Sequence, residues 1–341
     1  MSNGTGFTVT QRGGLLTGIV LFAIILLAPP PAGLSDAGWR TTACALLMAA
    51  WWITEAIPIS ATALLPLVLF PLLGILPISA AARPYANPVI FLFLGGFLIA
   101  AALERCGLHR RIAMTILRIV GTSPIRLVGG FMLATAFLSM WVSNTATVVM
   151  MLPTAMSVVR VADEEMKDHA QSAPFGKALL LGLAYAANIG GTGTLIGTPP
   201  NALLAGFMME TYGIAIGFVE WMMVGLPLVI VALPIVWLVL VKFLFPLSGV
   251  SFPAGREIVD REMEKLGPVT RGEWIVGSVT ALVAFLWMTR PVVQRFVPGL
   301  SDAGIAIGGA LVLFLVPIAT RPWKPALDWE RAERVPWGVL I

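Results

Sequence analysis

Apolar residues occur along the chain in long runs that are separated by short charged or Pro/Gly-rich stretches. The runs fall at about 14–32, 41–58, 60–78, 88–104, 127–159, 178–209, 219–246, 273–289 and 302–319. About 20 apolar residues cross a hydrocarbon core as a helix, so most of these runs predict one transmembrane helix each. Hydrophobic residues make up 58% of the 341 residues and charged residues 12%, a balance that excludes a soluble domain. The predicted class is an all-α polytopic membrane protein.

The run 127–159 is too long for one crossing. Its 33 residues would form a helix of about 50 Å against a hydrocarbon core of about 30 Å. Basic residues flank both ends, with Arg126 before the run and Arg160 after it, and basic loops favour the cytoplasmic side. The pattern therefore predicts a re-entrant hairpin over 124–161, with the Ser-Asn-Thr triplet 143–145 at its tip.

The run 178–209 is interrupted by "NIGGTGTLIGTPPN" at 188–201. Three closely spaced glycines break a helix, and the pair Pro199-Pro200 suits the first turn of a new one. We predict a discontinuous helix over 176–211, whose two halves are joined by an unwound stretch at mid-membrane depth.

The basic residues indicate how the chain lies in the membrane. With the N-terminus inside and the hairpin entering from inside, only four of the 22 basic residues fall outside the cytoplasm: Arg40, Arg83, Arg290 and Arg295. This asymmetry predicts a multi-pass protein of the cell membrane (inner or plasma membrane) with a cytoplasmic N-terminus. The segment "HRRIAMTILRIV" alternates arginine with apolar residues and predicts a helix in the interface plane over 106–121. The alternative is a cytoplasmic extension of the preceding helix.

Charge and composition also suggest the domain organisation. The predicted parts are a cytoplasmic tail at 1–13, a first span plus first repeat at 14–247, a cytoplasmic linker at 248–272, and the start of a second repeat at 273–341. The linker is the longest charged break in the chain.

The hairpin tip and the Gly-rich break both concentrate oxygen atoms at membrane depth. Backbone leaves a helix there only where it lines a polar cavity or is buried in protein, and secondary transporters bind ions and substrates at such places. The side-chain and backbone oxygens come from Ser139, Ser143, Asn144 and Thr145 and from residues 190–194. Ser139 and Ser143 are spaced i, i+4 and can face one site. Oxygen ligands without a carboxylate suit a monovalent cation better than calcium.

Two other interpretations of these residues fit the sequence less well. Small residues in membrane helices often serve only close packing, but two interrupted runs that each hold an asparagine and several hydroxyls favour a binding site. The segment "GGTGTLIGT" lacks the lysine of a phosphate-binding loop and lies in the membrane, so that interpretation is rejected.

The same segments resemble the divalent anion/sodium symporter family, the sodium-coupled dicarboxylate, citrate and sulfate carriers. The resemblance rests on "WVSNTATVVMMLP" (141–153) and "ANIGGTGTLIGTPPN" (187–201), with "WWITEAIPISATALLP" (51–66) as a further signature, and it extends from about residue 51 to the C-terminus. It implies an inverted-repeat, elevator-type transporter with a scaffold domain and a mobile transport domain, and a homodimer if the chain is complete.

The resemblance also implies roles for individual residues. The expected sodium ligands are Ser139, Ser143, Asn144, Gly190, Thr192 and Gly193. The expected substrate contacts are Asn144, Thr145, Thr194, Pro200 and Asn201. No catalytic residue, no organic cofactor and no metal other than sodium, the coupling ion, are expected. The expected partners are a small dianionic substrate, sodium ions and the lipid bilayer, and the dispersed basic residues argue against nucleic acid.

The expected function is sodium-coupled symport of divalent anions, with C4-dicarboxylates such as succinate and malate as the default over citrate and sulfate. The family carries a second Ser-Asn-Thr hairpin that this sequence lacks before Ile341, so a truncated second repeat is expected. Three alternatives stay open: a sodium-independent anion exchanger, a proton- or metalloid-coupled relative of similar fold, and a non-transporting truncated fragment.

Overall fold

The computed structural model describes residues 7–121, 123–165, 169–247, 254–320 and 323–340. Within these ranges the chain is helical almost throughout, apart from one short β-hairpin. Five helices of the described part are long and apolar enough to cross a membrane: Val9–Leu27, Pro88–Cys106, Asn144–Glu164, Phe218–Leu244 and Arg271–Val293. The predicted class, an all-α polytopic membrane protein, is confirmed.

The chain forms two compact units, residues 1–87 with 336–341, and residues 88–335. The first unit contains the helices α1 (Val9–Leu27), α2 (Asp36–Thr54), α3 (Ile59–Ala63), α4 (Leu65–Leu72), α5 (Ile78–Ala81) and, from the C-terminal end, α17 (Trp337–Leu340). Helices α1 and α2 form a packed pair. The Trp39 indole N–H at the start of α2 donates to the Ala28 carbonyl at the end of α1, which makes the pair antiparallel.

Helix α1 begins at Val9, where Thr8 and Gln11 form a capping box. Residues 1–6 of the predicted cytoplasmic tail 1–13 lie outside the described residues, and the tail stays a prediction. One other prediction for the first unit is wrong in its bounds. The run 60–78, predicted as one span, is split between α3 and α4. Pro66 lies in the first turn of α4 and has no backbone N–H to continue the helix of α3.

The second unit contains the remaining elements. They are α6 (Pro88–Cys106), α7 (Leu108–Val120), α8 (Pro124–Ser139), α9 (Asn144–Glu165), α10 (His169–Gly191), α11 (Pro199–Tyr212), α12 (Phe218–Leu238, continued by a π-helical turn Val239–Leu244), α13 (Ala254–Leu266), α14 (Arg271–Val293), α15 (Asp302–Leu315), β1 (Pro317–Thr320), β2 (Trp323–Pro325) and α16 (Trp329–Ala332). Helix α10 packs on both α8 and α9, and α6 packs on α14 and α15. The predicted run 302–319 is therefore helical only as far as Leu315.

Helix α7 is a separate element and not an extension of α6. Gly107 between them has φ of 78°, a left-handed conformation that ends α6. The apolar face of α7 packs on protein, where Met114 and Leu117 join the core formed with α8 and α13. The alternative of a continuous helix is wrong, and the interfacial position of α7 stays a prediction.

The predicted linker 248–272 contains the helix α13, which sequence analysis did not predict. Ile258 and Val259 on one side of α13 are buried in the core, and α13 packs on α7 and α9. Charged residues cover its other side and form i, i+4 pairs such as Glu257 with Arg261. No division between the two compact units falls in this segment, and the division into repeats stays a prediction.

His109 makes the stability of α7 depend on pH. Burial lowers the pKa of His109, with Arg110 nearby adding to the shift, although the hydrogen bond from Nδ1 to the Leu103 carbonyl, 2.9 Å long, opposes it. Below about pH 6.5 the unfolded chain therefore binds more protons than the folded one. Stability from this residue is fully present above that pH and is lost as the pH falls towards the lowered pKa.

We expect His109→Asn to reduce this pH dependence, because asparagine offers a donor near the Nδ1 position and does not titrate. Thermal unfolding of both proteins in detergent between pH 7 and pH 5 measures the effect. The melting temperature of the unaltered protein should fall more steeply than that of the variant. Equal slopes would contradict the assignment to His109.

Candidate ion and substrate site

The tip of the α8–α9 hairpin is a short turn between Ser139 and Asn144. Ser143 precedes α9 and caps it, because its hydroxyl accepts from the Ala146 N–H at 3.3 Å and its carbonyl accepts from the Thr147 N–H at 3.0 Å. The predicted triplet therefore stands at the tip, with Asn144 and Thr145 in the first turn of α9. Entry of the hairpin from the cytoplasmic side stays a prediction.

The Gly-rich break separates α10, which ends at Gly191, from α11, which begins at Pro199. The helical halves run from His169 to Tyr212, somewhat longer than the predicted range 176–211. The buried Asn201 side chain bridges the break: its Nδ2 donates to the carbonyls of Gly191 and Thr194, both at 2.8 Å. One amide thus replaces helical hydrogen bonds that the unwound segment lacks.

Polar contacts join the hairpin tip to the break. The fully buried Ser139 hydroxyl lies 2.6 Å from Asn144 Oδ1 and 2.8 Å from the Ala187 carbonyl oxygen, and it donates to one of them at a time. Asn144 Nδ2 donates to Asn188 Oδ1 at 3.1 Å. Asn144 is therefore held between its own hairpin and α10.

The two broken segments also approach at backbone distance. A Cβ atom on Gly190 would overlap the backbone of Ala136 on α8, so only glycine permits this contact. The buried Thr194 hydroxyl donates to the Met140 carbonyl in the turn of the hairpin. A Cβ atom on Gly193 would meet the side chain of Met140 at 3.0 Å. Tip and break therefore form one packed assembly.

Helix ends of opposite polarity meet in this assembly. The C-terminal ends of α8 and α10, at Ser139 and Gly191, direct backbone carbonyls towards it and carry partial negative charge. The N-terminal ends of α9 and α11, at Asn144 and Pro199, carry partial positive charge. The runs 127–159 and 178–209 hold no charged residue, so these helix ends are the charges that the two segments themselves bring to the site. The arrangement can attract a cation and an anion side by side.

The structure brings some of the predicted site residues together and leaves others outside the contacts. Ser139, Asn144, Gly190, Gly193, Thr194 and Asn201 lie in the contacts described above. Thr145 and Pro200 are exposed on the first turns of α9 and α11. Thr192 is already engaged, because its hydroxyl donates to the Ile189 carbonyl at 2.7 Å and its carbonyl accepts from the Trp221 indole N–H at 2.9 Å.

Sequence analysis missed three groups that bear on the site. They are the Ala187 carbonyl, the Asn188 side chain and the Trp221 indole. Asn188 could have been recognised, because it is the polar residue that opens the Gly-rich segment of α10. Ala187 contributes only backbone, and Trp221 comes from α12, which carries no polar motif, so neither leaves a signal in the sequence.

The chain is similar to a known protein family and to curated relatives. The family model described as the sodium:sulfate symporter transmembrane region matches residues 10–341. A sodium-dependent dicarboxylate transporter SdcS of Staphylococcus saprophyticus subsp. saprophyticus is 42% identical over 344 residues, which covers 98% of this chain and 66% of that protein. The protein of the same name from Staphylococcus aureus strain USA300 is 42% identical over 342 residues, with the same coverage. The chain thus spans about two thirds of the length of these curated relatives.

Proposed function

Because the chain belongs to the family of the sodium:sulfate symporter transmembrane region, we propose that it acts in sodium-coupled symport of divalent anions, with C4-dicarboxylates such as succinate and malate as substrates. The family consists of transporters and not enzymes. The choice of dicarboxylate over sulfate is supported by the relatives, which are named sodium-dependent dicarboxylate transporters.

One observation carries the proposal: helix ends of both polarities converge around Asn144. Each terminus offers about half an elementary charge. The carbonyls that end α8 and α10 suit sodium, and the amide groups that begin α9 and α11 suit a carboxylate. Among the described residues of these four helices, the site uses no lysine or arginine to neutralise a dianion. Sodium supplies that charge.

The need for sodium as a counter-charge couples transport of the dianion to transport of sodium. A dianion loses much of its hydration in the site, and partial helix charges alone compensate that loss poorly. Sodium bound beside it adds a full positive charge at short range. The substrate therefore binds well only after sodium, and its release follows when sodium leaves.

The proposal includes the setting of the site. The chain lies in the cell membrane with its N-terminus in the cytoplasm, as the distribution of its basic residues supports. The hairpin and the discontinuous helix move together as a transport domain of an elevator-type homodimer, a mechanism that their mutual contacts favour because these contacts make them one packed assembly.

Uptake by the purified full-length protein in proteoliposomes tests the function. We expect uptake of labelled succinate to require an inward sodium gradient, and unlabelled malate to compete with it. Potassium in place of sodium is the matched control. Succinate exchange that proceeds equally well without sodium would overturn the proposal in favour of a sodium-independent exchanger, and uptake driven only by a proton gradient would overturn it in favour of a proton-coupled carrier.

Asn144→Ala is expected to raise the sodium concentration for half-maximal uptake about thirtyfold. The variant loses the contacts to Ser139 and Asn188, and each hydrogen bond contributes about 1 kcal/mol, where 1.4 kcal/mol corresponds to a factor of ten. The measurement is initial uptake rate against sodium concentration. Asn188→Ala removes only one of the two contacts and should change the value about fivefold. Equal effects of both variants would contradict a central role for Asn144.

A further inference from the structure

The N-terminal turns of α12 contact both broken segments of the site. The Phe218 ring lies 6.3 Å from the ring of Trp141, which precedes the Ser-Asn-Thr triplet. One turn further, the Trp221 Nε1–H donates to the Thr192 carbonyl at 2.9 Å. After another turn, Gly225 lies so close to the Thr192 carbonyl that a Cβ atom there would overlap it. These three positions share one face of α12, and that face packs against the hairpin tip and the Gly-rich break.

The start of α12 is itself fixed from its other side. The Phe218 backbone N–H donates to Asp302 Oδ2 at 3.1 Å, and the Arg290 guanidinium pairs with the same carboxylate at 2.9 Å. The Phe218 ring stacks on Trp287 with centroids 4.5 Å apart, and the Trp287 indole N–H donates to the Asp302 carbonyl at 3.0 Å. The first turn of α12 is thus fixed in place, and so is the Trp221 side chain that follows it.

The peptide between Thr192 and Gly193 is held at both of its polar groups. Trp221 occupies the Thr192 carbonyl, and the Gly193 N–H donates to the Gly190 carbonyl at 2.9 Å. A peptide unit is planar, so two hydrogen bonds at opposite ends fix its orientation. The contact with Trp221 turns the Thr192 carbonyl towards α12, while the neighbouring Gly190 and Gly191 stay against the hairpin.

We propose that Trp221 is a positioning residue of the ion site. Its indole N–H holds the unwound segment 190–194 in the shape that presents the segment to Asn144, and this shape sets the affinity for sodium. The inference rests on the proposed function, because it concerns the sodium site of the same transporter. Trp221 itself binds neither ion nor substrate.

Trp221→Phe in the full-length protein tests the inference, because phenylalanine keeps an aromatic ring and removes the donor. Trp237→Phe is the matched control: Trp237 lies on the same helix and donates in the same way to a backbone carbonyl, that of Ile125 at 3.1 Å, at the foot of the hairpin. Two measurements are made on each variant. Hydrogen–deuterium exchange of the peptide covering 188–198 reports the order of the segment, and initial succinate uptake against sodium concentration reports its function.

For Trp221→Phe we expect faster exchange in 188–198 and a sodium concentration for half-maximal uptake that is about threefold to tenfold higher, the range that one net hydrogen bond gives. The maximal rate at saturating sodium should stay close to that of the unaltered protein. Trp237→Phe should leave both quantities unchanged.

Three results would overturn the inference: unchanged exchange in Trp221→Phe, faster exchange without a change in sodium dependence, or equal shifts in both variants, which would indicate general loosening of α12. Failure of the proposed function would give a different result from failure of this inference. If the unaltered protein takes up succinate without sodium, the transport mechanism is wrong, and the exchange measurement alone then decides whether Trp221 holds the segment.

Discussion

Gly190→Ala is expected to lower sodium-dependent succinate uptake about a hundredfold or more. The added methyl group would overlap the backbone of Ala136, which cannot rotate away as a side chain would. The hairpin and the Gly-rich break must therefore move apart. A displacement of about 1 Å at a binding site can lower the rate of the process that depends on it about a hundredfold. The same overlap should lower the free energy of unfolding by about 1–3 kcal/mol. Proteoliposome uptake and thermal unfolding of the variant measure the two effects.

Gly308→Ala is the control for this substitution. Gly308 also lies in a helix, α15, but a Cβ atom there meets nothing within 4 Å. We expect normal uptake and unchanged or slightly higher stability, since alanine favours a helix over glycine by about 1 kcal/mol. Normal uptake by Gly190→Ala as well would show that the close packing of tip against break is unnecessary for transport.

Arg111→Gln should lower the free energy of unfolding by about 3–5 kcal/mol, the usual result of removing one partner from a buried ion pair. The Arg111 guanidinium contacts Glu273 through Nε at 2.6 Å, and the Glu273 side chain is only 3% exposed. Arg111 also donates to the backbone carbonyls of residues 266–268. The substitution leaves a buried carboxylate without its counter-charge and loosens the contact of α7 with α14 and with the segment that joins α13 to α14. Denaturation in mixed micelles measures the loss.

Two further variants separate charge from packing. Arg261→Gln changes the same residue type in an exposed pair with Glu257, and it should change stability by less than about 0.5 kcal/mol. Glu273→Gln added to Arg111→Gln removes the unpaired carboxylate while glutamine can keep the cap of α14. The double variant should therefore recover part of the stability. If the double variant loses as much stability as the Arg111→Gln and Glu273→Gln variants lose in sum, then packing, and not charge, dominates.

The parts of the site that depend on local sequence were predictable. Glycines and the Pro199-Pro200 pair break and restart a helix through backbone geometry alone, and the structure places the interruption there. The excess length of the run 127–159 indicated a turn inside it, and α8 and α9 meet at the expected triplet. Both features depend on interactions between residues that lie within about 30 positions of one another in the sequence.

Features that depend on tertiary contacts were missed. Helix α13 lies in a stretch that is hydrophilic on average, and its apolar stripe gains burial only because α7 and α9 cover it. The stripe itself, which includes Ile258, Val259 and Leu266, has helical spacing and was the signal that could have identified it. Trp221 gave no such signal, because a tryptophan in an apolar run is expected at a membrane interface as readily as at a site.

The side chain of Asn201 makes the break depend on one amide nitrogen. Both of the contacts described for it use that nitrogen, and both end on carbonyl oxygens. Aspartate at this position would exchange the nitrogen for oxygen with little change in the shape of the side chain. Three oxygens, one of them charged, would then face one another in a buried space. A change of one mass unit at this position would push the two halves of the discontinuous helix apart.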